Sequence, residues 1–437
     1  MKVMLINPSY WTGNKKPLGY FSLSSVPLGL CYIAAALKSK GIQSKVFDMN
    51  IAETTMDQLK EKLVANMPDV VGITCLTCNY SNAVSVAQAV KAWNPKVFVV
   101  MGGVHATFMH TEILQSVPEV DAVVRNEGEA TLCNLVNALE KKTPLNQVLG
   151  LTYREGTAIL STSAQGRLEN LDELPYPAFD LLEPAVEDYI KLYGVRNFPI
   201  ITTRGCPFEC AFCSTSAFHG RKYRTRKVSL IVDEIEYLIG KYKIENISFV
   251  DDNFTMQKDR VIDLCSEMKR RGISIKWGCS SRVDQLPEDL IKIMVEAGCN
   301  NIFFGIESAS QSVLDFIKKG FSVQQARETV KLCEKLGVKT HVSFIIGLPR
   351  ENCESLEEMM RFIDETKPSG RVLPNVLDIL PGTDLYCRTD YYFPGKALLE
   401  DADITKSQIE MLLKFYQINF NIQELFRVTP PNIAVEY

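Results

Sequence analysis

Short apolar runs alternate with helix-like segments along the first 145 residues, and this alternation leaves few folds open. The runs rich in β-branched residues are Val3–Ile6, Lys45–Asp48, Val70–Cys75, Val97–Met101 and Ala122–Arg125. The segments between them have helical periodicity and are Leu28–Lys40, Thr55–Asn66, Asn82–Trp93, Glu112–Ser116 and Ala130–Lys141. Strands that alternate with helices form βαβ units around a parallel sheet. We therefore predict a doubly wound, Rossmann-like sheet over residues 1–145, which binds its ligand at the carboxyl ends of its strands.

The alternation stops and then resumes. Residues 146–195 are predicted to hold a hairpin, formed by Leu151–Arg154 and Ala158–Leu160, and a proline-rich linker. Further strands are predicted at Pro199–Thr203, Ile247–Val250, Ile273–Trp277, Asn301–Gly305, His341–Ile346 and Val376–Leu380. Six βα units in a row predict a partial (β/α)6 barrel of the TIM type over residues 196–388, with its chemistry at the carboxyl ends of the strands. Residues 389–437 are predicted to form a small helical cap.

Composition excludes several classes of protein. With 48 basic and 52 acidic residues the net charge is −4, so nucleic acid is not expected as a partner. No apolar run approaches the about 18 residues that a membrane span needs, and the first residues do not form a signal peptide. The 13 cysteines are too dispersed for a disulfide scaffold. We therefore expect a cytoplasmic protein whose clustered cysteines bind metal.

Three cysteines, Cys206, Cys210 and Cys213, lie within eight residues after the first strand of the second array. One loop of this length can wrap three thiolates around a soft metal centre. The next cysteine, Cys265, follows 52 residues later in a predicted helix. A fourth thiolate would close the site, so the triplet favours a four-iron cluster with one open iron. The alternative is a zinc knuckle completed by a distant Cys or His.

This segment resembles the radical S-adenosylmethionine (SAM) superfamily. The resemblance includes the cysteine spacing, the aromatic Phe212 and four further strand ends in the matching order, at Phe249–Phe254, Ser280–Asp284, Gly305–Ser308 and Gly347–Pro349. It implies a [4Fe-4S] cluster on the three cysteines, SAM bound at the open iron, and reductive cleavage of SAM to a 5′-deoxyadenosyl radical. The SAM-binding residues that it implies are Phe212, Asp251, Ser281, Arg282, Glu307, Gly347 and Pro349. For Glu307 the alternative is a strand-end salt bridge, and for Asp251 it is a helix cap.

The loops of the first array resemble the cobalamin-binding domain of B12-dependent radical SAM enzymes. No dinucleotide fingerprint follows the first strand, and the glycines instead follow the fourth and fifth strands, where they let a flat ligand approach the backbone. The cobalamin contacts that the resemblance implies are Ser9, Leu28, Gly29, Thr74, Thr77, Gly102, Gly103, His105, Glu127, Gly128 and Glu129. An Asp-x-His-x-x-Gly run is absent, so His105 is not assumed to ligate cobalt, and we expect it to form a loop hydrogen bond to the corrin periphery.

Two positions depart from the family patterns. The usual Gly-Glu-Gly-Glu run begins here with Asn126, so that its first turn is open to change. The usual Gly-Leu-Pro-Gly-Glu run has Arg350 in place of its second glycine. This arginine is either a solvated loop residue or a contact for an acidic substrate.

Together the resemblances cover roughly residues 1–386 and imply a cobalamin-dependent radical SAM enzyme. We favour a methyltransferase that acts on an unactivated carbon of a small metabolite, through methylcobalamin and a 5′-deoxyadenosyl radical. The alternative is cyclisation or rearrangement without methyl transfer, which uses the same motifs. A non-enzymatic corrinoid or iron–sulfur sensor is a third hypothesis, which the SAM-site motifs disfavour. The expected partners are a small-molecule substrate and an electron donor such as flavodoxin or ferredoxin.

Overall fold

The computed structural model describes residues 1–10, 26–51, 54–193 and 196–388. These residues divide into two compact units. The first contains residues 1–199 together with 218–220 and 224–245, and the second contains 200–217, 221–223 and the residues from 246 on. The predicted cap over 389–437 lies outside the described residues.

The strands before residue 196, all in the first unit, are short and mostly buried. They are β1 (Lys2–Asn7), β2 (Gln43–Asp48), β3 (Val70–Thr74), β4 (Phe98–Gly102), β5 (Ala122–Val124), β6 (Leu151–Glu155), β7 (Ala158–Ser161) and β8 (Leu182–Glu183). The remaining strands are β9 (Asn197–Ile200), β10 (Thr203–Arg204), β11 (Arg224–Thr225), β12 (Asn246–Phe249), β13 (Lys276–Ser281), β14 (Cys299–Glu307), β15 (Lys339–Ile346) and β16 (Val372–Val376).

Helices fill the intervals between these strands. Those before residue 200 are α1 (Leu28–Ser39), α2 (Met56–Asn66), α3 (Tyr80–Trp93), α4 (Val104–Phe108), α5 (His110–Ser116), α6 (Gly128–Lys141) and α7 (Val186–Tyr193). Those after it are α8 (Thr215–Phe218), α9 (Val228–Tyr242), α10 (Lys258–Arg270), α11 (Glu288–Glu296), α12 (Gln311–Phe316), α13 (Val323–Lys335), α14 (Cys353–Thr366) and α15 (Asp384–Cys387).

The first unit is built on an eight-stranded sheet in the order β7-β6-β5-β4-β3-β1-β2-β8. Strands β1 to β5 pair in parallel, and the predicted hairpin β6–β7 is confirmed as an antiparallel addition beside β5. The strand order reverses between β1 and β3, and a doubly wound sheet binds ligands at that switch point. The predicted doubly wound sheet is therefore confirmed. Its strands are buried on both faces because helices cover both sides.

The second unit contains the sheet β16-β15-β14-β13-β12, with β9 at its edge. Strands β12 to β16 pair in parallel and follow one another in chain order, as the predicted series of βα units requires. Phe249, Phe254 and Trp277 form an aromatic core beneath the strand ends, with ring centroids 4.8 to 5.6 Å apart. The carboxyl ends of these strands therefore rest on a closely packed layer.

Three of the predicted strand positions differ from the structure. The strand predicted at Pro199–Thr203 is divided, because β9 ends at Ile200 and β10 begins at Thr203. The strand predicted at Ile273–Trp277 begins at Lys276, because the amide of Ile273 bonds to the carbonyl of Met268 and still closes the end of α10. The strand predicted at Val376–Leu380 is Val372–Val376, since its register with β15 pairs Val342 with Val372. The close of a helix sets the limit of the second of these strands, and strand pairing sets the limit of the third, where local hydrophobicity does not.

Candidate active site

The three cysteines of the triplet lie on a loop of the second unit that is anchored at its middle. The amide of Ala211 donates to the carbonyl of Ile317 (2.9 Å), and the carbonyl of Ala211 accepts from the amide of Leu385 (3.0 Å). Cys206, Cys210 and Cys213 are free thiols of intermediate exposure. The loop therefore presents three unbonded thiols from a backbone that is held on both sides.

The chemistry of this donor set fits a multi-iron cluster better than a single ion. Among the described residues, no three His, Cys, Asp or Glu side chains converge closely enough to hold one metal ion. Each thiolate of a four-iron cluster binds a different iron, so the sulfurs need to surround a volume and not a point. Burial raises the pKa of Cys206 to about 11, and it also raises the pKa of Cys210. Metal binding must therefore displace protons from these thiols.

Asp251, predicted as a SAM contact, is buried beneath the loop, and its carboxylate is already engaged. It accepts hydrogen bonds from the amides of Thr202 (2.6 Å) and Thr203 (2.9 Å) and from the hydroxyl of Thr202. Nη2 of Arg260 lies 3.7 Å from it. The neighbouring Asp252 accepts from the amide of Gly205 (3.0 Å). These contacts make Asp251 a residue that positions the start of the cysteine loop.

Glu307 lies at the end of β14 and is paired with a cation. Its Oε1 is 3.0 Å from Nζ of Lys319, and its Oε2 accepts from the hydroxyl of Ser343 (3.4 Å). The salt-bridge alternative is therefore confirmed as a contact. A Cβ on Gly305 would lie 2.3 Å from Oε1 of Glu307, so only glycine leaves room for this carboxylate. Glu307 itself has a positive φ of 70°, a strained conformation that typically marks functional positions.

Two cations lie over the two phenylalanines of the cysteine loop. Nζ of Lys319 lies 5.4 Å from the ring centroid of Phe212, and Cζ of Arg282 lies 3.7 Å from that of Phe208. Arg282 is also held by Asp284 through two hydrogen bonds of 2.9 and 3.0 Å, and it donates to the carbonyl of Lys319 (2.6 Å). Cations over aromatic faces are attracted by the ring quadrupole. Arg282 and Lys319 therefore form a linked cationic pair beside the loop.

The remaining predicted SAM contacts line neighbouring strand ends. The hydroxyl of Ser281 bonds to that of Thr255 and to the carbonyl of Arg282. Gly347 has a φ of 91°, and its amide donates to the carboxyl of Glu351. Burial raises the pKa of Glu351 to about 7. Pro349 is buried within the same turn, so Glu351 holds the Gly-Leu-Pro turn in shape.

In the first unit, the loop after β4 lies close against the loop after β3, and a glycine allows this approach. Gly103 has a φ of 104°, and a Cβ there would lie 2.7 Å from the carbonyl oxygen of Cys75. His105 contacts the hydroxyl of Thr77 through Nδ1 (3.1 Å), and burial lowers its pKa to about 4. His105 therefore bonds to a neighbouring loop of the same unit, and the imidazole is neutral at ordinary pH.

The turn after β5 keeps the glycine-like conformation although it begins with asparagine. Asn126 has a φ of 62°, which asparagine tolerates better than most residues. Glu127 then points to a pair of basic residues of the same unit. Its carboxylate binds Arg224 through both terminal nitrogens and lies 3.1 Å from Nδ1 of His219. Glu127 thus joins the start of α6 to the segment that follows the cysteine loop in the chain.

The other predicted cobalamin contacts lie at the same edge of the sheet, at the carboxyl ends of β1, β3, β4 and β5 or at the helix starts that follow them. The carbonyl of Ser9 accepts from Nδ2 of Asn82 (2.6 Å), and space is open around the Cα of Gly29. The members of this set are Ser9, Leu28, Gly29, Thr74, Thr77, Gly102, Gly103, Gly128 and Glu129. Hydroxyls, backbone groups and the open space at Gly29 suit a corrin ring with amide side chains, so the edge fits cobalamin.

Several residues of the two sites were not predicted from the sequence. Lys319, Phe208, Arg260, Arg224 and Glu351 all contact predicted residues. Lys319 is preceded by Lys318, and nothing in that pair indicates which lysine is buried. Of these five residues, Glu351 is the one that a sequence signal could have indicated. It stands at the acidic position of the Gly-Leu-Pro-Gly-Glu pattern.

Comparison with known proteins matches both halves of the chain to families. The pattern of the B12 binding domain matches residues 18–136, and that of the Radical SAM superfamily matches residues 200–363. A methyltransferase of Pyrococcus horikoshii, described as uncharacterized, is 39% identical over 362 residues, which are 83% of this chain and 77% of that protein. The chain therefore belongs to the cobalamin-dependent radical SAM enzymes, whose cofactors are a [4Fe-4S] cluster, SAM and cobalamin.

Two further proteins define the range of similarity. The anaerobic magnesium-protoporphyrin IX monomethyl ester cyclase of Rubrivivax gelatinosus is 32% identical over 84% of this chain, but the match spans 66% of the cyclase. The structure of the radical SAM methyltransferase TsrM from Kitasatospora setae with cobalamin and a [4Fe-4S] cluster bound superposes with a TM-score of 0.72, covering 88% of this chain and 76% of that one at 19% identity. The similarity to TsrM establishes the fold of this chain. No helix in the described ranges is long and apolar enough to cross a membrane.

Proposed function

We propose that this enzyme is a methyltransferase that transfers the methyl group of SAM to an unactivated carbon of a small metabolite. The observation that carries the proposal is the loop with the three free thiols, on which Cys210 feels the charges of Glu307 and Lys319 and Phe212 faces Nζ of Lys319. Methyl transfer through cobalamin also requires a corrin site, and the match to the B12 binding domain supports one. The methyltransferase from Pyrococcus horikoshii is more similar in sequence than the cyclase, which favours methylation over ring formation.

The residues of the second unit would hold the cluster and SAM. When bound, the cluster supplies the electron that cleaves SAM, and cobalamin supplies the methyl carrier. Cys206, Cys210 and Cys213 are the cluster ligands. The Glu307–Lys319 pair matches the zwitterionic methionyl end of SAM, since Glu307 can accept from the ammonium and Lys319 can donate to the carboxylate. Phe212, with the Lys319 cation at its face, offers an aromatic surface for the adenine.

The remaining predicted contacts have supporting roles in this proposal. Asp251, Arg282 and Glu351 hold the loops from which SAM is bound, because their polar groups are engaged with the protein. In the first unit, Glu127 has the same role for the turn at the start of α6. The glycines and hydroxyls of that edge would contact the corrin, and neutral His105 would remain on Thr77.

The same proposal includes the reductant and the compartment. Reductive cleavage of SAM requires an electron donor of low potential, and flavodoxin or ferredoxin would serve. Free thiols that bind an iron–sulfur cluster persist in a reducing environment. We therefore also propose a cytoplasmic location.

The test begins with anaerobic purification and reconstitution with iron, sulfide and hydroxocobalamin. The protein is incubated with SAM that carries a deuterated methyl group, a chemical reductant and a fractionated metabolite extract of its source. We expect both S-adenosylhomocysteine and 5′-deoxyadenosine, together with a metabolite that gains the labelled methyl group, by mass spectrometry. Formation of 5′-deoxyadenosine alone, with a product of unchanged carbon number, would identify cyclisation or rearrangement and refute methyl transfer.

Alanine at Cys206, Cys210 or Cys213 is expected to abolish 5′-deoxyadenosine formation and the absorbance of the cluster. The matched control is Cys265→Ala, which removes a buried thiol from α10 and leaves the triplet intact. Cluster loss in the control, or activity that survives a change in the triplet, would contradict the assignment of the ligands.

A further inference from the structure

Arg350 holds a backbone conformation that arginine rarely adopts. It follows β15 with a φ of 73°, at the position where the family pattern has glycine. A non-glycine residue in this region is strained, and such strain persists where the surrounding structure compensates for it. Its neighbour Glu351 bonds to the amide of Gly347 and so fixes the turn. The turn therefore presents the Arg350 side chain at a fixed place, at the carboxyl end of a strand.

An aromatic ring supports this guanidinium and a second one. Cζ of Arg350 lies 4.8 Å from the ring centroid of Phe316, and Cζ of Arg388 lies 5.1 Å from the same centroid. Stacking on an aromatic ring orients the planar guanidinium and leaves its N–H groups free to bind a ligand. Phe316 thus brings two arginines from distant parts of the chain to one site.

The charges around Phe316 do not balance. Arg388 and Lys318 share one carboxylate, that of Asp384, at 2.9 and 2.8 Å. Arg350 is exposed and forms no ion pair with any residue that the structure describes. Among the described residues, Asp384 is thus the carboxylate that pairs with cations near Phe316, and Arg350, on the strained turn, has no ion pair.

This cationic group is attached directly to the cysteine loop. Ile317, next to Phe316, accepts from the amide of Ala211 (2.9 Å), and Leu385, next to Asp384, donates to the carbonyl of Ala211 (3.0 Å). Ala211 lies between Cys210 and Phe212 in the chain. Two backbone hydrogen bonds thus fix the Arg350 site relative to the loop that bears the cluster ligands.

We propose that Arg350, assisted by Arg388, binds an anionic group of the substrate, a carboxylate or a phosphoryl group. The inference rests on the proposed function and adds the substrate class, an anionic small molecule. A guanidinium binds both kinds of group through paired hydrogen bonds. An anion held here would anchor one end of the substrate beside the loop at which SAM is cleaved.

The test uses the full-length reconstituted protein, with pyrophosphate and succinate as probes in isothermal titration calorimetry. The main variant is Arg350→Gly, since glycine adopts a φ of 73° without strain and the turn keeps its shape. We expect one of the two probes to bind the wild-type protein and to bind the variant roughly tenfold or more weakly, as the loss of a charged hydrogen bond requires. The probe that binds identifies the phosphoryl or the carboxylate group.

The control is Arg361→Gln, which removes an exposed arginine from α14 without touching Phe316. Equal weakening in the control would show unspecific attraction and overturn the proposal, as would unchanged binding in Arg350→Gly or binding of neither probe to the wild type. Substrate-free cleavage of SAM to 5′-deoxyadenosine is measured in parallel. The assay with labelled SAM and the metabolite extract is run on the same preparations: if the wild type gives no methylated product there, the proposed function fails, whereas the titrations still decide the anion site.

Discussion

Nζ of Lys319 lies 3.0 Å from Oε1 of Glu307, and each side chain is only 9% exposed. The pair joins the end of β14 to the turn that follows α12, and it lies beside the ring of Phe212. Two buried charges are stable here because each neutralises the other, so neither can be removed without consequence for its partner.

Replacing Lys319 with methionine is expected to destabilise the protein and to make the cluster harder to reduce. The stability loss is about 3 kcal/mol or more, because Glu307 stays buried without its counter-ion. The lost positive charge beside the cysteine loop moves the midpoint potential in the negative direction. Urea denaturation measures the first effect, and a redox titration followed by electron paramagnetic resonance measures the second.

The neighbouring Lys318 provides the matched control. It pairs with Asp384 at an exposed position, with 48% of its side chain accessible. Its change to methionine is expected to cost less than about 1 kcal/mol, as for other surface ion pairs. Equal effects of the two substitutions would show that the buried Glu307–Lys319 pair has no special role.

Gly305→Ala is expected to weaken SAM binding, because the new Cβ would lie 2.3 Å from Oε1 of Glu307 and 3.2 Å from Nζ of Lys319. The carboxylate must move away, and both charged groups lose their alignment. Equilibrium dialysis with labelled SAM measures the affinity. Gly240→Ala in α9, where no atom lies within 4 Å of the added carbon, should leave it unchanged. Unchanged affinity in Gly305→Ala would argue against SAM binding at Glu307.

Asp251→Asn is expected to lower the free energy of unfolding by about 3 kcal/mol, because Arg260 would keep its buried charge without a counter-ion. Arg260 is 8% exposed, and Nη2 lies 3.7 Å from the carboxylate. Iron content should fall as well, since Asp251 anchors Thr202 and Thr203 before the cysteine loop. Asp263→Asn, at an exposed position of α10, is the control and should match the wild type in urea denaturation. A stable Asp251→Asn protein with full iron content would refute the anchoring role.

The stability of the second unit is expected to depend on pH through Glu351. Burial raises the pKa of this carboxyl from 4.5 to about 7 in the folded protein. The folded state therefore holds the proton more tightly, and the contribution to stability is complete below pH 4.5 and is lost as the pH rises through about 7. Glu351→Gln stays neutral and should lack this loss in denaturation curves recorded across that range.

The control for this measurement is Glu354→Gln at an exposed position of the same region. It should show the same dependence on pH as the wild type. Parallel profiles for the wild type and Glu351→Gln would mean that Glu351 does not titrate in this range.

Much of the fold and of the cluster site could be predicted because the signals are local. The parallel strands of the first sheet are short apolar runs, and the three cysteines proposed as cluster ligands lie on one loop. The turn at Asn126 was open to change, yet it retains the positive φ of the family pattern because asparagine tolerates that conformation. The backbone preference of asparagine is therefore sufficient to explain the conformation at position 126.

Contacts between distant residues could not be predicted in the same way. Glu127 is recognisable as part of a family pattern, but its pairing with Arg224 joins residues 97 positions apart. Arg350 and Arg388 reach the same ring from different elements. Such pairs depend on the packing of whole elements, which leaves no periodic trace in the sequence.

By itself the sequence determined the alternating architecture, the cysteine triplet that we propose as the cluster ligands, and the strand ends that carry the SAM and cobalamin motifs. Hydrophobic periodicity and loop spacing are properties of neighbouring residues, so they can be recognised without the fold. Only the tertiary structure decided that Lys319 is buried against Glu307 while Lys318 is exposed, and that Asp251 is engaged with Thr202. The reason is physical, because the environment of a charged side chain is set by the segments that fold around it and not by its neighbours in the chain.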